Sequence, residues 1–556
     1  MIFPDQSQIK NKFIFTGESP APCRKIRFCF SPPVHTLLRG GGFTKFDRTS
    51  MLYGTLLLTV TGVISQLLGF LYRVVLSRFI GAENMGLYQL LMPVYACALS
   101  VVSVGLSVSV SRLSAEHRAL QNSRAIRQVI RQSLLFLLLL FALVAVVTVL
   151  FYDPISVFLL GDARTQTGLL LLLPCILFTA MENIHKHYFY GVGQVRPPAF
   201  AELSEQCIRI SAVLLLLLLF LPQNSEITVG LIILGLGICE IVSAVTLVML
   251  YRRDIRQTGL TGLPLPAKQV RRSIRTIALP VGATSLLGNL MTSVNSIIIP
   301  QRLVASGWLV SDAMSAFGVL FGMALPLLML PSAFIGALCT ILVPRLAQSA
   351  ALGRREEINQ RLEKALLSTA LILFPFLALM LTVGPVLGET LFLESSVGDY
   401  LPILSVGVLF SCYESVMGSA LNGLGYQKPA SLFSLFCGLV QLIITYFGVA
   451  NPRLGLYGFL IGFVFCSFLG AVFCGICLVH HTKLRFRIGR WLFLPALSAA
   501  FAGICTHLLF GVLSVCNLSP LSAAVSSALF GTVCYFAALW TTGMEIFGFR
   551  LTFGRD

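Results

Sequence analysis

Charge is what this sequence has least of. Only 11% of its 556 residues are Asp, Glu, Lys or Arg, against about 25% in soluble domains. That shortage excludes an ordinary water-soluble globular chain. Acids are scarcer than bases, 23 against 40, for a net charge of +17. No GxxxxGK[ST] loop, no HExxH helix and no GxSxG elbow in a loop occurs. Direct use of ATP, zinc-peptidase chemistry and serine-hydrolase chemistry therefore have no residues to carry them, and an enzyme is not expected. The early basic residues are not followed by an apolar core of roughly 7–15 residues, so no secretory signal peptide is recognisable. Fifteen cysteines are scattered through apolar runs. Cys474 and Cys477 form a CxxC inside one such run, where packing is expected rather than metal or redox chemistry.

What is present is apolar. Hydrophobic residues make up 56% of the chain and the mean hydropathy is +0.86, which fits a polytopic membrane protein. A span needs about 20 residues at about 1.5 Å rise each. Fourteen stretches qualify: 53–77, 87–110, 133–152, 167–187, 199–221, 227–250, 276–300, 314–341, 366–388, 399–422, 430–450, 455–479, 490–513 and 519–541. Alternate loops divide the Lys and Arg residues twenty-six to four, the four being Arg78, Arg164, Arg302 and Arg453. By the positive-inside rule the basic face is cytoplasmic, with both termini on it, in the cytoplasmic membrane. The same asymmetry accounts for the net charge without a nucleic-acid partner. Residues 1–50 are polar and basic, with Pro32-Pro33 and Gly40-Gly41-Gly42. They read as a disordered tail, or as sequence upstream of a true start at Met51.

The most informative stretch is Gly54 to Pro93. A first apolar helix ends in a charged elbow, Gly81-Ala82-Glu83-Asn84-Met85-Gly86, and a second begins at Leu87 and carries Pro93. Arg73 lies within the first helix, where an ionisable group is costly and marks a functional site by default. The alternative for Arg73 and Arg78 is that they snorkel to the interface.

The halves echo each other. Gly191, Gly193 and Pro197 match Gly423, Gly425 and Pro429 at an offset of 232, and Ser111-Arg112-Leu113 resembles Pro344-Arg345-Leu346 at 233. A six-helix unit begins and ends on one side of the membrane, so its duplication gives parallel repeats, and substrate is expected between them near the midplane. The expected division is a lobe over 51–275, a second over 276–485, and two extra helices with a cytoplasmic tail over 486–556.

The repeat also aligns Glu182 with Glu414, two acids that either face one central cavity or sit at helix ends. In the fifth span Glu202, Glu205 and Arg209 share a face, with Gln206 beside them, and Glu205 and Arg209 have the i,i+4 spacing of an ion pair. That face points to a cavity or to a partner helix, or else the pair is a self-neutralised strut. Glu240 in span six has no evident partner. Asn289 and Asn295 are the polar candidates of span seven. Pro326, Pro331 and Pro344 interrupt span eight, freeing backbone carbonyls where a transporter helix could bend.

Several of these residues carry a resemblance. Gly54-Thr55-Leu56, Leu68-Gly69-Phe70, Arg73, Arg78, Ile80-Gly81, Gly86-Leu87-Tyr88 and Pro93 together resemble the stage V sporulation protein B family, within the multidrug/oligosaccharidyl-lipid/polysaccharide exporters. Glu205-Gln206-x-x-Arg209 and Gly322 to Pro331 extend the resemblance. It implies an all-α membrane protein of about 14 helices, built as two parallel six-helix lobes plus two helices. It implies a flippase for a lipid-linked oligosaccharide of polyprenyl-diphosphate type, working by alternating access during wall, spore-cortex or polysaccharide assembly. The related lipid II flippases hold the diphosphate with arginines; where their pattern has an acid at the elbow and a base midway along span eight, this chain has Leu87 and Pro326. The competing expectation is a proton- or sodium-coupled multidrug exporter using Glu182, Glu205, Glu240 and Glu414. Either scheme expects membrane lipids as partners, no metal or other cofactor, and an ion gradient or membrane potential as energy source; the sequence does not specify an oligomeric state, and a monomer is compatible with both.

Overall fold

The computed structural model describes residues 51–220, 224–259, 261–482, 489–516 and 518–541. The expectations for residues 1–50, and the loop charges Lys483, Arg485, Arg487, Arg550 and Arg555, lie outside them. The described chain is helical throughout. In order it forms α1 (Met51–Leu99), α2 (Gly105–Ala119), α3 (Ser123–Leu150), α4 (Tyr152–Pro154), α5 (Gln166–Gly191), α6 (Arg196–Leu219) and α7 (Ser225–Thr258). It continues with α8 (Ala267–Ala305), α9 (Val310–Gly318), α10 (Leu325–Leu328), α11 (Leu330–Ala351), α12 (Arg355–Thr382), α13 (Gly384–Phe392), α14 (Ser396–Gly423), α15 (Gln427–Val449), α16 (Tyr457–Thr482), α17 (Leu494–Val515) and α18 (Pro520–Thr541).

Among the described residues, thirteen helices are long and apolar enough to cross a membrane, consistent with about fourteen spans. Three features reconcile the two counts. Spans one and two run together, because the expected six-residue elbow is a kink at one residue, Gly81 (φ 75°), and helix resumes at once. Span eight is instead cut in two at Met329, with Pro326 in the four-residue α10 before the break and Pro331 in the first turn of the 22-residue α11 after it. Span five, the 24-residue α6, is long enough but carries Glu202, Glu205 and Arg209, and is not among the thirteen.

Two lobes repeat one design. α3 spans 123–150 and α12 spans 355–382, while α7 starts at 225 and α16 at 457; each pair differs by 232. Left-handed backbone recurs at the same interval, at Gln121 and Gly353, Gly161 and Leu393, and Gly193 and Gly425. Close approaches recur too: a Cβ on Gly191 would stand 2.5 Å from the Ser111 carbonyl oxygen, and one on Gly423 would stand 2.8 Å from that of Val343. This corrects the second sequence landmark, since Ser111 corresponds to Val343 at 232 rather than to Pro344 at 233. The parallel repeat is thus a property of the backbone, and α17 and α18 follow it.

The lobes meet on their shared axis through two glycines. A Cβ on Gly86 would fall on the Met314 carbonyl oxygen, and a Cβ on Gly318 on that of Ala82. Both pairs, 86/318 and 82/314, are again 232 apart. Only glycine lets the two helices come this close.

Candidate functional site

α5, α6 and α7 set five charged side chains in a line inside the first lobe. Glu182 and Lys186 are one turn apart on α5, and Glu205 and Arg209 one turn apart on α6, so each pair shares a helix face. Lys186 Nζ stands 2.5 Å from Glu182 Oε1, an ion-pair distance without hydrogen-bond alignment, and 3.3 Å from Glu205 Oε2. Arg209 Nη2 donates to Glu205 Oε1 and lies 3.5 Å from Glu240 Oε1 on α7. The signs alternate from Glu182 to Glu240. That alternation is what makes burial tolerable, since an isolated charge in this medium would cost several kcal/mol. The three carboxylates are buried, Glu182 at 1%, Glu205 at 7% and Glu240 at 3% exposure.

Glu240, without an evident partner in the sequence, thus has Arg209. Lys186, one of the twenty-six residues counted on the basic face, belongs to α5 and to this line; its i,i+4 spacing from Glu182 is the signal in the sequence. Cys239 brings its thiol into the same group, within 4.8 Å of the Glu205 and Glu240 oxygens. Those donors could hold a metal, but the Arg209 guanidinium already supplies positive charge at that point.

Other sequence candidates lie elsewhere. Glu182 and Glu414 do not share one cavity: Glu182 is enclosed in the ion line, whereas Glu414 lines a separate cavity in the second lobe. Glu202 is half-buried and makes no ion pair among the described residues. The buried Gln206 amide oxygen has no hydrogen-bond partner. Asn289 donates to Ser100 Oγ at 2.5 Å, and Ser293 donates to the Pro93 carbonyl at 3.2 Å, so this part of α8 stitches the second lobe to the first. Asn295 keeps a buried amide oxygen without a partner. Gly191 ends α5 and Gly423 ends α14; Gly193 and Gly425 take the left-handed turns that follow; Pro197 and Pro429 lie in the first turns of α6 and α15.

Three of the four arginines of the charge-poor face, Arg78, Arg164 and Arg302, are engaged. Arg164 bonds both Asp162 oxygens and reaches Glu83 Oε1 at 2.6 Å. Arg302 lies 3.7 Å over the Tyr446 ring. Arg78 does not merely snorkel. It donates to the carbonyls of Leu391 at 2.6 Å and Thr390 at 2.7 Å, at the C-terminal end of α13 in the opposite lobe. Reciprocally, Gln301 of the second lobe donates to the Leu159 carbonyl at 2.7 Å and the Phe158 carbonyl at 3.3 Å in the first. The acceptors, 158/390 and 159/391, are repeat equivalents. Such terminal carbonyls have no partner within their own helix, so both latches close one face of the molecule. Arg78→Ala is expected to weaken that closure by about 1 kcal/mol, roughly a fivefold population shift. Spin-label distances across that face check it, with a smaller shift expected for the uncharged Gln301→Ala.

Arg73 differs from all of these. It is half-buried within α1 and has no ion-pair or hydrogen-bond partner among the described residues.

Residues 51–350 match the family described as "Polysaccharide biosynthesis protein". Stage V sporulation protein B of Bacillus subtilis (strain 168) is 27% identical over 416 residues, covering 74% of this chain and 80% of its own. Lipid II flippase MurJ of the same organism is 21% identical over 425 residues, covering 71% and 76%. Among solved structures, the inward closed conformation of a lipid II flippase MurJ superposes with a TM-score of 0.62 at 13% identity, covering 88% of this chain and 98% of that one. An inward-facing multidrug resistance MATE family transporter superposes at 0.61 with 16% identity, covering 75% and 94%.

Proposed function

The chain belongs to the polysaccharide biosynthesis protein family, and from that membership we propose that it is a flippase for a lipid-linked oligosaccharide of polyprenyl-diphosphate type. The two lobes rock against each other about the Gly86–Gly318 contact and expose a central site to each face in turn. The basic face is cytoplasmic, both termini lie on it, and the protein resides in the cytoplasmic membrane. No cofactor enters the scheme; an ion gradient or the membrane potential supplies the energy.

The observation that carries this reading is Arg73. Moving a diphosphate through a low-dielectric slab requires a cationic donor that is free to receive it, and a guanidinium fork suits phosphate oxygens. Lys186 and Arg209 are committed to carboxylates, whereas Arg73 is not. The same commitment weighs against a multidrug exporter. Of the four acids that scheme calls on, Glu182, Glu205 and Glu240 are already paired, which leaves Glu414. The breadth of the likeness agrees, since the lipid II flippase structure covers 88% of this chain and the MATE structures 75–77%.

The test is binding. The purified protein in nanodiscs, titrated with a polyprenyl diphosphate, should bind it, and Arg73→Ala should weaken binding at least tenfold with the melting temperature unchanged. Equal binding by Arg73→Ala would return Arg73 to snorkelling.

A further inference from the structure

We propose that the cavity beneath Glu414 in the second lobe is the subsite for the neutral sugars of the lipid-linked substrate; this rests on the flippase reading above.

The cavity holds about 570 Å³ between α8, α14, α15 and α16, within the roughly 300–1,000 Å³ usual for small-molecule pockets. Ser411, Glu414, Ser415, Ser419 and Asn422 of α14 line it, facing Ser434 of α15. The α14 positions recur at helical spacing and form one polar stripe. Elsewhere in this protein helical hydroxyls commonly donate back to a carbonyl one turn earlier, as Ser109, Thr179 and Thr369 do. None of these six side chains has a hydrogen bond or ion pair among the described residues.

The repeat supplies an internal control. At the equivalent positions the first lobe has Thr179, Glu182, Asn183, His187, Tyr190 and Glu202. There the two central groups are paired within the protein: Thr179 with Tyr95 at 2.7 Å, and Glu182 with Lys186. In the second lobe Gly418 stands where the first has Lys186, and Cys437 where it has Glu205. Gly470 leaves room for the Glu414 carboxylate, since a Cβ there would come within 2.7 Å of both its oxygens. One backbone thus carries a paired glutamate, Glu182, in one lobe and an unpaired one, Glu414, in a hydroxyl-lined cavity of the other.

The lining selects the ligand. Among the described residues no Lys or Arg lines the cavity, so a phosphate would find a carboxylate and no counter-charge there. Hydroxyls, one amide and one carboxylate over an apolar floor of Leu287 and Leu435 suit a ring with many hydroxyls and an apolar face. The diphosphate would then lie with Arg73 and the sugars against α14.

The experiment titrates the full chain in nanodiscs with two probes, heptaprenyl diphosphate bare and the same carrier bearing an N-acetylhexosamine disaccharide. Wild type should bind the glycosylated carrier more tightly. Ser415→Leu and Ser419→Leu, which fill the cavity, should each lose at least tenfold of that affinity, about 1.4 kcal/mol, with the bare carrier held within twofold. Unchanged bare-carrier binding also shows that the variants are folded. Equal affinity of wild type for both carriers, or equal losses for both in the variants, would overturn the subsite while leaving the flippase reading standing. Binding of neither carrier would remove both. Tetraphenylphosphonium binding that disappears in Glu414→Gln, with glycosylated-carrier affinity untouched by the leucines, would make the cavity a cation pocket instead.

Discussion

Arg209→Gln is expected to be among the most damaging single substitutions within the spans, at about 3–5 kcal/mol. Its guanidinium serves two acids on two helices. Without it Glu205 still has Lys186, at 3.3 Å, but Glu240 is left 3% exposed with no other basic partner among the described residues. A buried carboxylate abandoned in this way costs more than the pair ever contributed. Glu205→Gln should be milder, because Lys186 keeps Glu182 and Arg209 keeps Glu240. The decisive comparison is the double variant Arg209→Gln with Glu240→Gln, which removes the stranded charge together with its cause. Thermal unfolding of the detergent-purified protein should show the double recovering much of the loss, a coupling typical of groups in one network. A double variant as unstable as Arg209→Gln would mean that Glu240 is not held by Arg209.

Gly86→Ala and Gly318→Ala should damage the protein to a similar degree, by about 1–3 kcal/mol or more. Each adds one methyl group on top of a backbone carbonyl of the other lobe, and a carbonyl cannot rotate away as a side chain could. The two contacts are repeat equivalents, Gly86 on Met314 and Gly318 on Ala82, which is why equal costs are expected. Both changes also hold apart the face that Arg78 and Gln301 close. A cysteine introduced at Ser315, beside Ala82 and Asn84 in the cavity of that face, should therefore react several-fold faster with an impermeant maleimide in either glycine variant. A tolerated Gly86→Ala beside a crippling Gly318→Ala would contradict the shared axis.

The helices were legible because apolar runs of span length leave few alternatives in a chain with so little charge. The ion pair of Glu205 and Arg209 was legible because i,i+4 spacing on one helix is local information. So was the repeat, through Gly191, Gly193, Gly423 and Gly425, where turn chemistry restricts the residue. What sequence could not give is tertiary. Glu240 has its partner 31 positions away on another helix, and Lys186, inside the 167–187 span, reaches Glu205 on the next helix. The Gly81 kink reads as a loop in the sequence because two glycines bracket the polar pair Glu83-Asn84, although only the first breaks the helix. Arg78 and Gln301 bond backbone carbonyls, which leave no signature in side-chain type. The contrast between the paired Glu182 and the unpaired Glu414 in its cavity lies in the alignment of the two backbones, residue by residue.

The central claim is movement of a lipid diphosphate, and a quenching assay in proteoliposomes tests it most directly. A fluorescent polyprenyl-diphosphate sugar is incorporated in both leaflets and a membrane-impermeant quencher is added outside. The account predicts that the purified protein lets the quencher reach the inner-leaflet pool, and that Arg73→Ala does not. An inner-leaflet pool that stays protected, alongside proton-dependent efflux of an organic cation from the same vesicles, would contradict it.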